Sequence, residues 1–300
     1  MLDPRDLYDV AADHPDLGAP VMVVALDGFV DAGAARRLAI EHLRAAGEPV
    51  TVATFDVDQL HDYRARRPAM LFVEDHWESY DAPSLVVEGL RDAAGTPYLL
   101  LHGPEPDVQW ERFAAAVRLL VDDLGIRLTI GLNAIPMAVP HTRPVGVIAH
   151  GSRPQLVDGF EPWVATVQVP GAAAHLVEYR LGRDGVDAVG FAVHVPHYVA
   201  QAAYPAAAEA LVRAIERVSG LTLPTEALTT AAAETRRLID EQVGESSDVE
   251  AVVRTLEEQY DTFVEGRGGL LGDETRLPTG DELGAELERF LAEQRGPDQR

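Results

Sequence analysis

Two residue types are missing from this chain. There is no cysteine, which removes disulfides, thiolate nucleophiles and cysteine-based zinc or iron–sulfur sites together. Lysine is missing as well, because all 25 basic residues are arginine. A Schiff-base lysine and the phosphate-gripping lysine of a P-loop are thereby excluded. No uninterrupted apolar run approaches the roughly 18–20 residues of a membrane span. Positive charge is scarce: 25 arginines face 49 acids, a formal charge of −24. Nucleic acid is therefore a poor partner, since a phosphate backbone demands a basic face. The start, Met1-Leu2-Asp3-Pro4-Arg5-Asp6, is charged and does not read as a secretory signal. The expected address is the cytoplasm, with no membrane partner.

Enzyme signatures are also lacking. Gly28 to Gly33 does not have the G-x-G-x-x-G spacing, and neither G-x-S-x-G nor H-E-x-x-H occurs. The ten histidines are dispersed without metal-ligand spacing. No cofactor is implied, and nothing in these motifs names a reaction.

What remains is a chain of 300 residues, 47% of them apolar, enough for one large domain with or without an appendage. From about residue 20 to 220 the pattern alternates between strands and helices. Val21–Leu26, Val50–Phe55, Ala69–Val73, Tyr98–Leu101, Ile126–Leu132, Val145–Ala149, Val164–Val169, Leu176–Leu181 and Val186–Val195 read as strands. Gly182–Gly185 reads as a hairpin turn joining the last two. Helices are expected from Asp31 to about Ala46, over Ser84–Ala94, from about Asp107, and from Tyr198 to Val218 before Gly220. Such alternation predicts a mostly parallel sheet covered on both faces.

Beyond Gly220 the grammar is helical. Thr225–Val243 and Ser247–Val264 are amphipathic, the second with Val249, Val252, Val253, Leu256, Tyr260, Phe263 and Val264 in one stripe. Gly266–Gly280 reads as a mobile stretch, and a short helix is expected over 281–293. The expected division is an α/β core over 1–220 and an acidic helical extension over 221–300, which carries 19 acids and 8 arginines.

In an open parallel sheet, ligands gather outside the carboxyl ends of the strands. The polar residues expected there are Asp27 and Asp31, Glu105 and Asp107, His141 and Arg143, and His197 and Tyr198. Converging, they would bind an anion or run acid–base chemistry. Each also has a structural use. Asp31 and Asp107 suit helix caps, the prolines beside His141 and His197 fix loop shape, and Arg143 suits a buried ion pair with an acid such as Glu105. Trp77, Trp110 and Trp163 are expected in core or interface packing.

Several segments, in one order, resemble the proteasome-assembly-chaperone type-two family in its actinobacterial form. They are Ala25-Leu26-Asp27-Gly28-Phe29-Val30-Asp31-Ala32-Gly33, Gly103-Pro104-Glu105-Pro106-Asp107 with Trp110, Pro136-Met137, and Pro140-His141-Thr142-Arg143-Pro144. Val195-Pro196-His197-Tyr198, Tyr204-Pro205 and Leu256-Glu257-x-x-Tyr260-Asp261 continue the series. The resemblance spans roughly residues 20–265. It implies a three-layer α/β fold similar to the phosphorylase/hydrolase-like fold, with a helical C-terminal extension. It further implies homo-oligomerisation, a trimer being one form, and a chaperone-like, non-enzymatic role with a protein partner related to the proteasome. Relatives dock through a C-terminal hydrophobic-tyrosine-x tail, and the given sequence, ending Gly296-Pro297-Asp298-Gln299-Arg300, is not expected to. Nucleoside phosphorylases and peptide hydrolases share this architecture, which leaves open a second reading, a small-molecule-binding protein or enzyme built on the strand-end loops.

Overall fold

Strand β2 (Val21–Asp27) is buried at every position but its last, and a strand apolar on both faces belongs in the middle of a sheet. The computed structural model, which describes residues 2–28, 30–160 and 166–269, places it there. β7 (Pro97–Pro104) and β8 (Leu128–Met137) flank β2 in parallel, and β10 (Ala188–Pro196) extends the parallel set beyond β8. β9 (Val147–Gly151) closes that edge antiparallel to β10. On the other side β6 (Val86–Arg91), β3 (Val50–Phe55) and β1 (Tyr8–Val10) continue the sheet antiparallel. The spatial order is β1-β3-β6-β7-β2-β8-β10-β9.

Alternation along β2 divides its side chains between two cores. Met22, Val24 and Leu26 face α2 (Trp110–Asp123) and α3 (Ala173–Arg183), with Phe55, Phe113 and Leu120 among the filling. Val21, Val23 and Ala25 face α1 (Ala35–Ala45) and α4 (Pro205–Ser219). Each large aliphatic side chain withdrawn from water contributes about 1.5–3 kcal/mol before chain entropy is set against it. The layers are helices, sheet and helices, as expected. α4 stops at Gly220, whose left-handed conformation (φ 75°) suits a residue without Cβ.

α5 (Glu226–Gly244) lies on α4 and adds Leu228 and Ile239 to the core. α6 (Ser247–Gly269) packs on α5 through Val253 and Leu256, while Val249, Val252, Phe263 and Val264 stay exposed. The expected stripe is thus only partly covered. The short helix expected at 281–293 lies outside the described residues, as do Phe29 and Trp163; of the stretch Gly266–Gly280 expected to be mobile, 266–269 belongs to α6 and the rest lies outside the described residues. β4 (Met70–Val73) and β5 (His76–Tyr80) form a hairpin of their own, paired with no strand of the main sheet.

Several expectations fail. The helix expected over 84–94 is absent, and strand β6 occupies its centre: Leu85 and Val87 are buried and Gly89 lies against Val52, so the segment fits between β3 and β7. Leu176–Leu181 is helical, because Ala173, Val177 and Leu181 form a buried stripe at i, i+4 and i+8. Gly182–Gly185 is therefore a helix-to-strand turn, not a hairpin. Residues 166–169 are not strand, and 161–165 lie outside the described residues. α4 also begins later than expected, at Pro205, whose fixed φ suits the first helical turn.

Candidate functional site

The polar residues expected at the strand ends fall into two groups. The first lies at the carboxyl ends of β2 and β7. Asp27 ends β2, and Gly28 follows at φ 146°, where a Cβ would stand 2.8 Å from the Glu105 side chain. Asp31 accepts hydrogen bonds from the backbone N–H of Arg36 (2.8 Å) and Arg37 (3.1 Å), so it caps the first turn of α1. Arg36, with 5% of its side chain exposed, places its guanidinium 3.5 Å from Asp27 and 3.9 Å from Asp31. Its Nε has no hydrogen-bond partner among the described residues. Glu105 accepts the backbone N–H of Ala173 at the start of α3.

Asp107 turns the other way. Instead of capping α2 it accepts from the Asp62 backbone N–H (2.6 Å) and pairs with Arg66 at 2.8 Å. Burial pushes its carboxyl pKa up, and the Asp62 amide and the Arg66 guanidinium outweigh that, holding it below the usual range.

The second group holds α5 and α6. Buried His141 lies between Tyr198 and Asp240: Nδ1 is 2.6 Å from the Tyr198 hydroxyl and Nε2 is 2.9 Å from Asp240 Oδ1. The hydroxyl also accepts the His141 backbone N–H at 2.8 Å, and the Asp240 carboxylate can only accept. Nε2–H then donates to Asp240. Arg143 grips Asp261 with both ends of its fork, at 2.7 and 2.6 Å, and reaches Glu257 at 3.2 Å. That bidentate hydrogen bond raises the guanidinium pKa and lowers that of Asp261. The expected Arg143–Glu105 pair does not form. The ring of His197 packs edge-on against Tyr198 at 5.4 Å. His141, braced by Tyr198, and Arg143 clamp the acidic helices to the core, and a void of about 500 Å³ lies beside these two, bounded also by Tyr204, Glu209, Thr229 and Arg236.

A third group had no counterpart in the sequence reading. α3 carries His175 and Glu178 three residues apart, on one face. His150 of β9 comes within 2.7 Å of Glu178, and Asn133 of β8 within 3.1 Å of His175. Room for them comes from two glycines in register, Gly131 and Gly190. A Cβ on Gly190 would stand 2.5 Å from Glu178 Oε2 and 2.8 Å from His150 Nε2. Burial pushes the His150 pKa down, but the hydrogen bond and charge of Glu178 outweigh it and the net shift is upward. Burial, and then the charge of His150, lower the pKa of His175. The Asn133 amide beside His175 Nε2 agrees with a neutral ring accepting at that nitrogen. The signal in the sequence was the spacing His175-x-x-Glu178, legible only once the segment is read as a helix.

The group separates two cavities, one of about 20 Å³ against Arg36 and Glu105 and one of about 820 Å³ between α3 and β8–β10–β9. No set of three or more histidine, aspartate or glutamate side chains placed to hold a metal occurs among the described residues. No helix among them is long and apolar enough to cross a membrane.

Solved structures resemble this one in both fold and sequence. A Mycobacterium tuberculosis protein of unknown function is 49% identical, with 88% of this chain and 91% of that one covered and a TM-score of 0.83. A Corynebacterium glutamicum protein of unknown function is 38% identical, over 86% and 98% of the two chains, with a TM-score of 0.82. A Mycobacterium tuberculosis proteasome-assembly chaperone homologue is 27% identical, over 78% and 99%, with a TM-score of 0.72. Among curated proteins, none matches the chain. The PAC2 family model matches residues 25–243, a span running from β2 through α5, and the chain therefore belongs to the PAC2 family.

Proposed function

We propose that this protein is a non-enzymatic, chaperone-like binding factor that works as a cytoplasmic homo-oligomer and holds a protein partner related to the proteasome. Family membership supports the chaperone class, and the name of the 27%-identical relative points to proteasome subunits as the first partner to try. The observation that carries the reading is the β4–β5 hairpin. Met70, Leu71, Phe72, Trp77 and Tyr80 are all about half exposed or more, Trp77 at 62%. Phe72 and Trp77 stack edge-to-face at 5.0 Å on a hairpin that, among the described residues, pairs only with itself. An isolated two-stranded hairpin is marginal in water, and clustered exposed aromatics mark protein contact surfaces. The strand-end residues are engaged in ion pairs, caps and helix clamps, which favours binding over catalysis.

The test is sedimentation of the wild type against a Phe72→Glu/Trp77→Glu variant. The reading expects the wild type to sediment as a defined oligomer and the variant as a folded monomer. A wild type that is monomeric and fails to bind proteasome subunits overturns it.

A further inference from the structure

We infer that the 820 Å³ cavity between α3 and β8–β10–β9 is a binding site for a small amphipathic carboxylate, such as a medium-chain acyl or aryl acid. The site is separate from the hairpin and the inference does not rest on the protein-binding reading. The cavity falls within the ~300–1,000 Å³ of small-molecule pockets. Its walls are apolar, built from Val30, Ile135, Ile148, Ala149, Val169 and Ala192. None of them belongs to α5 or α6.

The two ends of the cavity differ in charge. At the inner end stand His150, Glu178, His175 and Asn133. They pair with one another, His150 with Glu178 and His175 with Asn133. At the outer end stands Arg183, exposed on the last turn of α3. Neighbouring Arg180 pairs with Glu111 at 2.6 Å, and Arg153 pairs with Asp187. Arg183 forms no ion pair among the described residues, although acids outnumber arginines 49 to 25 in the chain. An unpaired guanidinium beside an apolar cavity is a carboxylate receptor, because its fork matches the two oxygens. His175 and Arg183 lie eight residues apart on one helix, about 12 Å along its axis. A chain of that reach, acid at Arg183 and apolar body inward, fills the space.

Titration calorimetry of the full-length protein with decanoate, and with decan-1-ol for comparison, tests this. The expected result is saturable one-to-one binding of decanoate. Arg183→Gln should weaken decanoate by about tenfold, the worth of one charge-assisted pair, and leave decan-1-ol unchanged. Ala192→Phe, which fills the cavity, should abolish both. If that variant fails to fold, Val169→Asp, on an exposed wall position, makes the same test. Absence of saturable binding, or binding that survives the wall variants, overturns the site. Equal loss of both ligands in Arg183→Gln overturns the carboxylate assignment.

Discussion

At the scale of single residues, the positions that matter most are those where a small change has nowhere to go. Gly190 is one, because a methyl group there meets both Glu178 and His150. Gly190→Ala should cost about 1–3 kcal/mol of stability, as overpacking does, measured by denaturant unfolding. The same substitution should return the His150 pKa toward that of a free imidazole. The two histidines of this group should also titrate apart in an NMR experiment, His150 above the ordinary value and His175 below it. The sign for His150 follows from its raised pKa in the fold. Its pairing stabilises the protein fully below the unfolded value of about 6.5, and that contribution fades as pH rises through the higher folded value. Glu178→Gln should remove this slope. Coincident titration of His150 and His175 would contradict the geometry.

At the scale of elements, the account turns on how loop 140–144 meets the C-terminal helices. Arg143→Ala removes the bidentate grip on Asp261, and α6 should then exchange its amide hydrogens faster while α1 to α4 remain protected. α5 should change less, since Leu228 and Ile239 anchor it in the core. Uniform exchange across all six helices would show that the clamp does nothing local. The same loop shows where sequence reading stops. The apolar run Val21–Leu26 and the helix face Phe113, Val117, Leu120 and Leu124 announce β2 and α2 without help. Residues 84–94 and 176–181 do not, because short apolar runs suit either period and tertiary neighbours decide. Arg143 announced an ion pair but not its partner. Asp261 lies 118 residues away on a helix whose docking the local pattern does not encode. His175 and Glu178 went unread for a simpler reason, since a strand would have turned them to opposite faces.

At the scale of the whole molecule, a charge of −24 keeps copies apart at long range, so any assembly must rest on local apolar contact. The β4–β5 hairpin supplies such a surface, and the exposed half of the α6 stripe, Val249, Val252, Phe263 and Val264, supplies a second. Oligomer stability should therefore rise with salt, as screening weakens the repulsion, and sedimentation across a salt series reads this directly. The central claim is that the hairpin is a protein-contact surface. A photo-reactive benzoyl-phenylalanine in place of Phe72, activated in intact cells that make the protein, tests it most directly. The account predicts a cross-link to one protein in fixed stoichiometry, either a second copy of this chain or a proteasome subunit. Recovery of only the uncross-linked monomer would contradict it.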